Sequence, residues 1–152
     1  MAFYQFIRTQ ELPVSVEELW DFISSPDNLK EITPDEMGFT VTSKKMTEKM
    51  YPGMIISYKV SPLFGIKMTW VTEITQVENG KYFVDEQRVG PYKIWHHQHI
   101  LEPSENGVKM TDIVSYVPPF GIIGKIANKI LIRRKLEEIF SYREQVLNKR
   151  FS

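Results

Sequence analysis

Apolar and polar positions alternate from Phe3 to Leu12, where β-branched and aromatic residues mix with polar ones until Pro13, and this pattern predicts a first strand. The period then changes. Ser15 with Glu18 three positions later has the form of a capping box, and Val16, Leu19, Trp20 and Ile23 recur at helical spacing. Ser25, Pro26 and Asp27 supply a second cap, followed by Leu29 and Ile32, so a second short helix is expected before Pro34. From Gly38 to Val117 the period is two, with turn residues at Pro52-Gly53, Pro62 to Gly65, Asn79-Gly80, Gly90-Pro91 and Asn106-Gly107. These delimit six further strands over residues 39–45, 54–61, 66–77, 81–89, 93–102 and 108–117. Tight turns between successive strands imply an antiparallel meander, because parallel neighbours need long crossovers.

Beyond Pro118, Pro119 and Gly121 a helical pattern runs from Ile122 to about Lys149. At about 100° per residue, Ile122, Ile126 and Ile130 fall near one meridian, whereas Leu136, Ile139, Phe140 and Leu147 lie further round. The two ends of the helix are therefore expected to face different surroundings. No repeat, low-complexity tract or linker interrupts residues 1–152, which are read as one domain of the α+β class: seven antiparallel strands around a long C-terminal helix, with two short helices between strands 1 and 2.

Composition narrows the chemistry. Across 152 residues, 42% are hydrophobic and 25% charged, with 19 basic and 19 acidic side chains. A balanced charge gives no basic surface for a nucleic-acid partner. The lack of cysteine removes disulfide frameworks, thiol catalysis and thiolate zinc sites. No run is long and apolar enough to span a bilayer, and the first strand lacks the continuous apolar core of an export signal, so a cytoplasmic location is expected. Neither a phosphate-binding glycine loop nor a Gly-x-Ser-x-Gly elbow is present.

The polar residues of the apolar strands carry the functional signal. With Gly90, Pro91 and Tyr92 as a three-residue connection, Gln87 lies opposite Trp95 and Asp85 opposite His97; with Ser104 to Gly107 as the next, His99 lies opposite Asp112. Phe83, Leu101, Met110 and Val114 share that face, so two His–carboxylate pairs are expected in apolar company. Three uses stay open: the pairs satisfy one another and fix the register; they orient the polar head of a ligand whose apolar body rests on Tyr58, Trp70 and the long helix; or His97 or His99, tuned by Asp85 or Asp112, acts as an acid/base catalyst. His97 and His99 on one strand face have a spacing compatible with a metal, with Asp85 or Asp112 as third ligand. The same carboxylates can equally pair with the imidazoles, and no metal or other cofactor is expected. Alternation also places Met54, Ile56, Tyr58 and Val60 on one face, Ile66, Met68, Trp70, Thr72 and Ile74 on the next, and Met110, Val114 and Tyr116 on another, as core or as cavity wall. Lys125, Lys129, Arg133, Arg134 and Lys135 beside Ile122, Ile126 and Ile130 form either a solvated helix face or a surface for peripheral contact with an anionic membrane, blunted by Glu137 and Glu138.

Leu12-Pro13-Val14-Ser15 leading into Glu18-Leu19-Trp20, then Asn28-Leu29 and Ile32-Thr33-Pro34, resembles the opening of a bacterial branch of the START-like, helix-grip (SRPBCC) superfamily of pollen-allergen-like proteins, polyketide cyclases and lipid-transfer domains. The same branch is suggested by Asp85-Glu86-Gln87, Gly90-Pro91-Tyr92, Trp95-His96-His97-Gln98-His99, Asp112-Ile113-Val114-Ser115-Tyr116, Pro118, Gly121 and Ile139-Phe140-Ser141-Tyr142-Arg143. The resemblance covers essentially the whole chain. It implies a hydrophobic or amphipathic small molecule or lipid in a cavity between sheet and helix, with Tyr58, Trp70, Asp85, Gln87, Trp95, His97, His99, Asp112, Tyr116, Ile126 and Ile130 as the candidate contacts. Two other activities are compatible with it: a cyclase- or dehydratase-like enzyme, and a lipid-handling or regulatory protein acting through a membrane or protein partner. A monomer and a homodimer both fit, given the exposed sheet edges expected and the Phe151 tail.

Overall fold

The computed structural model describes residues 2–44, 49–61 and 65–152. Strand β1 (Tyr4–Leu12) runs into helix α1 (Val16–Ile23), whose N-cap Ser15 accepts a hydrogen bond from the Glu18 amide at 3.1 Å. Such a cap contributes about 1 kcal/mol. Leu19, Trp20, Phe22 and Ile23 form the buried face of α1. The second short helix starts where its cap predicts but is a single 3-10 turn, Pro26–Asn28, and a further 3-10 turn follows at Asp35–Met37. Pro34 between them cannot donate to a continuing helical ladder, and Gly38 ends the second turn in the left-handed conformation.

Strands β2 (Thr40–Val41), β3 (Ile55–Val60), β4 (Met68–Glu78), β5 (Tyr82–Val89), β6 (Ile94–Ser104) and β7 (Gly107–Val117) follow as the period of two predicts. They form one antiparallel sheet in the order β1-β7-β6-β5-β4-β3-β2. β2 is shorter than the expected 39–45, meeting β3 only at Thr40↔Lys59 and Val41↔Tyr58; position 45 of that expectation, and positions 62–64 of the expected turn at Pro62 to Gly65, lie outside the described residues. Ile66, expected inside, precedes β4 and is exposed.

The C-terminal helical segment is not one α-helix. It comprises α2 (Gly121–Ala127), a π turn at Asn128–Ile132, and α3 (Arg133–Arg150). A π turn holds an extra residue and shifts the face presented beyond it. Asn128 at its start is buried and accepts from the Tyr116 hydroxyl at 2.6 Å, and Arg133 donates to the Gln5 carbonyl at 3.1 Å, which ties the turn to β7 and β1. Leu136, Phe140 and Leu147 of α3 are buried against the concave side of the sheet, whereas Ile122, Ile126 and Ile130 are exposed. The two meridians seen in the sequence do face different surroundings.

Inside, the apolar residues fall into two clusters. One gathers Leu12, Trp20, Phe22, Ile56, Ile74, Phe83, Leu101, Met110 and Leu147; the other gathers Phe6, Val60, Trp70, Tyr92, Val114, Tyr116, Leu136 and Phe140. Between them the inward rows of five strands and of α3 turn polar: Gln10 on β1, Thr72 on β4, Asp85 on β5, His97 and His99 on β6, Asp112 on β7, and Arg143 on α3. This belt is where the candidate site lies.

Candidate functional site

Antiparallel pairing sets the backbone of Asp85 opposite His97 and that of His99 opposite Asp112, the register expected from the turns. The side chains reach diagonally instead. His99 Nε2 lies 2.6 Å from Asp85 Oδ2 and His97 Nε2 lies 2.8 Å from Asp112 Oδ1, while the directly opposed contacts are longer, 3.6 Å for His97 Nδ1 to Asp85 and 3.3 Å for His99 Nδ1 to Asp112. Diagonal neighbours on one sheet face are within reach of long side chains. The two imidazoles stack with ring centres 3.7 Å apart, and Phe83 stacks on His99 at 3.9 Å, extending the column into the apolar interior.

Arg143 completes the cluster. Its Nη1 lies 3.5 Å from Asp112 and its Nη2 3.4 Å from His99 Nδ1. The residue is 7% exposed, and its Nε has no hydrogen-bond partner among the described residues. Sequence reasoning passed over Arg143, although a signal existed: Leu136, Phe140, Arg143 and Leu147 recur at spacings that keep one helix face, with a cation in an otherwise apolar series.

The charges follow from these contacts. Burial works against ionising Asp112, but the Arg143 guanidinium and the hydrogen bonds from His97 and His99 hold its carboxyl well below the usual range. Asp85 is lowered too: burial opposes ionisation, but the charge interaction with His97 and the hydrogen bond from His99 outweigh it. For His97, burial and the neighbouring His99 prevail and push its pKa down. For His99 burial also disfavours the cation, yet hydrogen bonds to Asp112 and Asp85 outweigh it and raise the pKa. The cluster therefore sets two ionised carboxylates and Arg143 beside two imidazoles of opposite tendency, His99 favouring the cation more than a free imidazole does and His97 less. When His99 carries its second proton, Nδ1 cannot accept from Arg143 and donates to Asp112, and the guanidinium at 3.4 Å is then a contact across that shared carboxylate. Asp112 only accepts, which places the proton of His97 on Nε2 and leaves Nδ1 with a lone pair, beyond hydrogen-bond distance of Asp85.

Asp85, His97 and His99 hold ligand atoms within 4.8 Å of one another, a geometry that could take a metal ion. Ligation would require His99 to surrender its proton and its 2.6 Å hydrogen bond to Asp85.

The cluster forms one wall of a cavity of about 170 Å³ between the sheet and α3. Ile56, Tyr58, Val60, Trp70, Ile74, Phe83, Tyr92 and Trp95 line it from the strands and Leu136, Ile139 and Phe140 from the helix, with Asp85, His97, His99 and Arg143 as its charged or ionisable side. Thr72 lies on the same wall and accepts from the Trp70 indole at 3.1 Å. Burial raises the pKa of the Tyr58 and Tyr92 hydroxyls, which stay neutral.

Of the expected contacts, Tyr58, Trp70, Asp85, Trp95, His97 and His99 come together on the cavity wall. Asp112 stands behind the histidines, and Tyr116 packs on Tyr92 and Trp95 while its hydroxyl is held by Asn128. Gln87 points elsewhere: its amide donates to the Tyr92 carbonyl at 2.6 Å and accepts from the Tyr92 amide at 3.1 Å, bracing the β5–β6 turn. Ile126 and Ile130 do not reach the cavity either, because the π turn leaves them on the outer surface.

Several solved structures share this arrangement. Protein CV1439 from Chromobacterium violaceum superposes with a TM-score of 0.72 at 12% identity, over 97% of this chain and 96% of that one. TTHA0849 from Thermus thermophilus gives 0.65 at 14% identity over 99% and 97%, and Ara h 8.0201 gives 0.60 at 15% identity over 96% and 98%. At such identities the likeness is one of fold, the helix grip. No curated protein matches the sequence. A family model described as polyketide cyclase / dehydrase and lipid transport matches residues 12–137, and with most of its length so covered the chain belongs to that family, within the START-like superfamily.

Proposed function

We propose that the chain binds a small hydrophobic or amphipathic molecule in the cavity, its apolar body among Ile56, Trp70 and Leu136 and its polar end on the wall made by His97 and Arg143. The observation that carries this reading is the pairing of an apolar space with unspent polar capacity. The Arg143 Nε–H has no acceptor among the described residues and His97 Nδ1 has a lone pair without a donor, each buried. A carboxylate or hydroxyl oxygen on the ligand accepts from the Arg143 Nε–H and a ligand hydroxyl donates to His97 Nδ1, and leaving such groups empty costs stability.

Volume limits the ligand. A cavity of about 150 Å³ holds benzene, so the 170 Å³ here suits one aromatic ring or a short branched or acyl chain. A fused polycyclic ligand or long acyl chain would need the walls to move apart.

The test is calorimetric titration of the purified chain with ethylbenzene and 4-ethylbenzoate, alongside native mass spectrometry for any compound that copurifies. Binding of at least one probe, with the polar-ended one preferred and the preference diminished in Arg143→Lys, is the expected result. Failure of both to bind, together with no copurifying mass, sinks the proposal. A second reading draws on His97: its Nδ1, a lone pair beyond hydrogen-bond distance of Asp85 with Asp112 holding Nε2 behind it, is a candidate base for a cyclase- or dehydratase-like reaction of a bound molecule. Under that reading His97→Gln retains ligand and loses turnover.

A further inference from the structure

The surface around α2 is set apart from the rest of the molecule. Phe120, Ile122, Ile123, Ile126 and Ile130 are all exposed, Phe120 at 72% and Ile122 at 80%. A solvated helix end rarely carries so contiguous an apolar group, and such groups mark interaction surfaces. Phe120 also holds a left-handed backbone with φ of 68°, followed by Gly121 at 54°. That conformation is unfavourable for an aromatic residue, and here its ring is presented to the outside.

Charge identifies the occupant. The chain as a whole is neutral, yet between Asp112 and Glu137 there is no acidic residue and five basic ones occur: Lys125, Lys129, Arg133, Arg134 and Lys135. Arg133, Arg134 and Lys135 lie near Glu137, Glu138 and Glu36 at 3.3 to 3.9 Å. Lys125 and Lys129, interleaved with the isoleucines, have no carboxylate within 4 Å among the described residues. Apolar side chains ringed by cations complement an anionic bilayer, whose headgroups neutralise the lysines while the acyl boundary takes the isoleucines. A second copy of the chain is less suited, because a two-fold pairing of this face brings Lys125 and Lys129 of both copies together.

We propose that α2, through Phe120, Ile122, Ile123 and Ile126 with Lys125 and Lys129 at the headgroups, docks the protein peripherally on anionic membranes. No helix among the described residues is long and apolar enough to cross the membrane, so the contact is interfacial. The anchoring of the π turn by Tyr116 and Arg133 fixes the docked helix to the body. Trp95 and Lys135, half-buried members of the cavity wall, lie nearby, Trp95 paired with Tyr116 and Lys135 just past the turn. The docking itself does not depend on what the cavity holds.

The experiment is co-sedimentation of the full chain with vesicles of phosphatidylcholine alone or doped with phosphatidylglycerol, at low and high salt. Binding to the doped vesicles, little to the neutral ones, and weakening with salt are expected. Ile122→Ser/Ile123→Ser should abolish it, and each of Lys125→Glu and Lys129→Glu should weaken it by at least roughly fivefold. Circular dichroism and titration with 4-ethylbenzoate run on the same variants report the fold and the cavity separately. Absence of wild-type binding to doped vesicles overturns the proposal, as does binding that survives both sets of substitutions. Dimerisation in sedimentation velocity that the isoleucine substitutions abolish, with no vesicle binding, would assign the face to a second copy instead.

Discussion

Among the described residues, Arg143 is the helix cation that the buried carboxylates Asp85 and Asp112 share. Arg143→Met should therefore cost about 3–5 kcal/mol in denaturant unfolding, the toll of leaving buried charge uncompensated. Arg143→Met combined with Asp112→Asn should lose less than the two single losses added together, as coupled neighbours do. The two histidines give a pH signature. The lowered pKa of His97 means that below the ordinary imidazole value the unfolded chain takes up a proton the folded one resists, so stability falls with acidity. The raised pKa of His99 means that above that value the folded chain keeps a proton the unfolded one releases, so stability falls with alkalinity too. Stability from this pair should peak near pH ~6.5, the free imidazole value. His97→Gln is expected to flatten the acid limb and His99→Gln the alkaline limb in urea midpoints measured across pH; a wild-type curve that is monotonic through this range would contradict the assignment. Alternation revealed which four residues share a face, because a period of two needs no knowledge of partners. It could not reveal the diagonal exchange of partners, which depends on how side chains lean across the sheet, nor the entry of Arg143 from a helix far along the chain.

At the scale of elements, the strands were legible because their turns are marked by Gly, Pro and Asn, and the N-cap of α1 because Ser15 and Glu18 stand at a fixed offset. The interruption of the C-terminal helix was legible only as a drift of its apolar meridian. Nothing local in Asn128–Ile132 marks a π turn: its cause is tertiary, Tyr116 claiming Asn128 and Gln5 claiming Arg133. That is why Ile126 and Ile130 read as cavity residues in the sequence and stand outside in the structure. α2 turns back closely on the segment before it, and a Cβ at Gly124 would collide with the Pro119 carbonyl oxygen. Gly124→Ala should therefore pry α2 from that segment. Faster amide exchange confined to α2, with β4 to β7 unchanged, is the expected readout; uniform acceleration across the sheet would show instead that α2 supports the whole fold.

For the molecule as a whole, cavity and core compete for the same space. Leu136→Phe adds volume at the cavity wall, so it should hold or raise the melting temperature while cutting affinity for a single-ring probe by more than about tenfold, a loss of about 1.4 kcal/mol or more. If the melting temperature drops sharply, that wall is already tightly packed. The polar belt between the two apolar clusters has a comparable meaning. Buried ionic groups can often be exchanged for well-fitted apolar ones with no loss of stability. A version of this chain with leucine and phenylalanine across the belt would join its two oily halves into one continuous interior. Such a molecule could melt later and still be useless as a receptor, since every guest would meet the same greasy lining from end to end and none would be told which way round to sit.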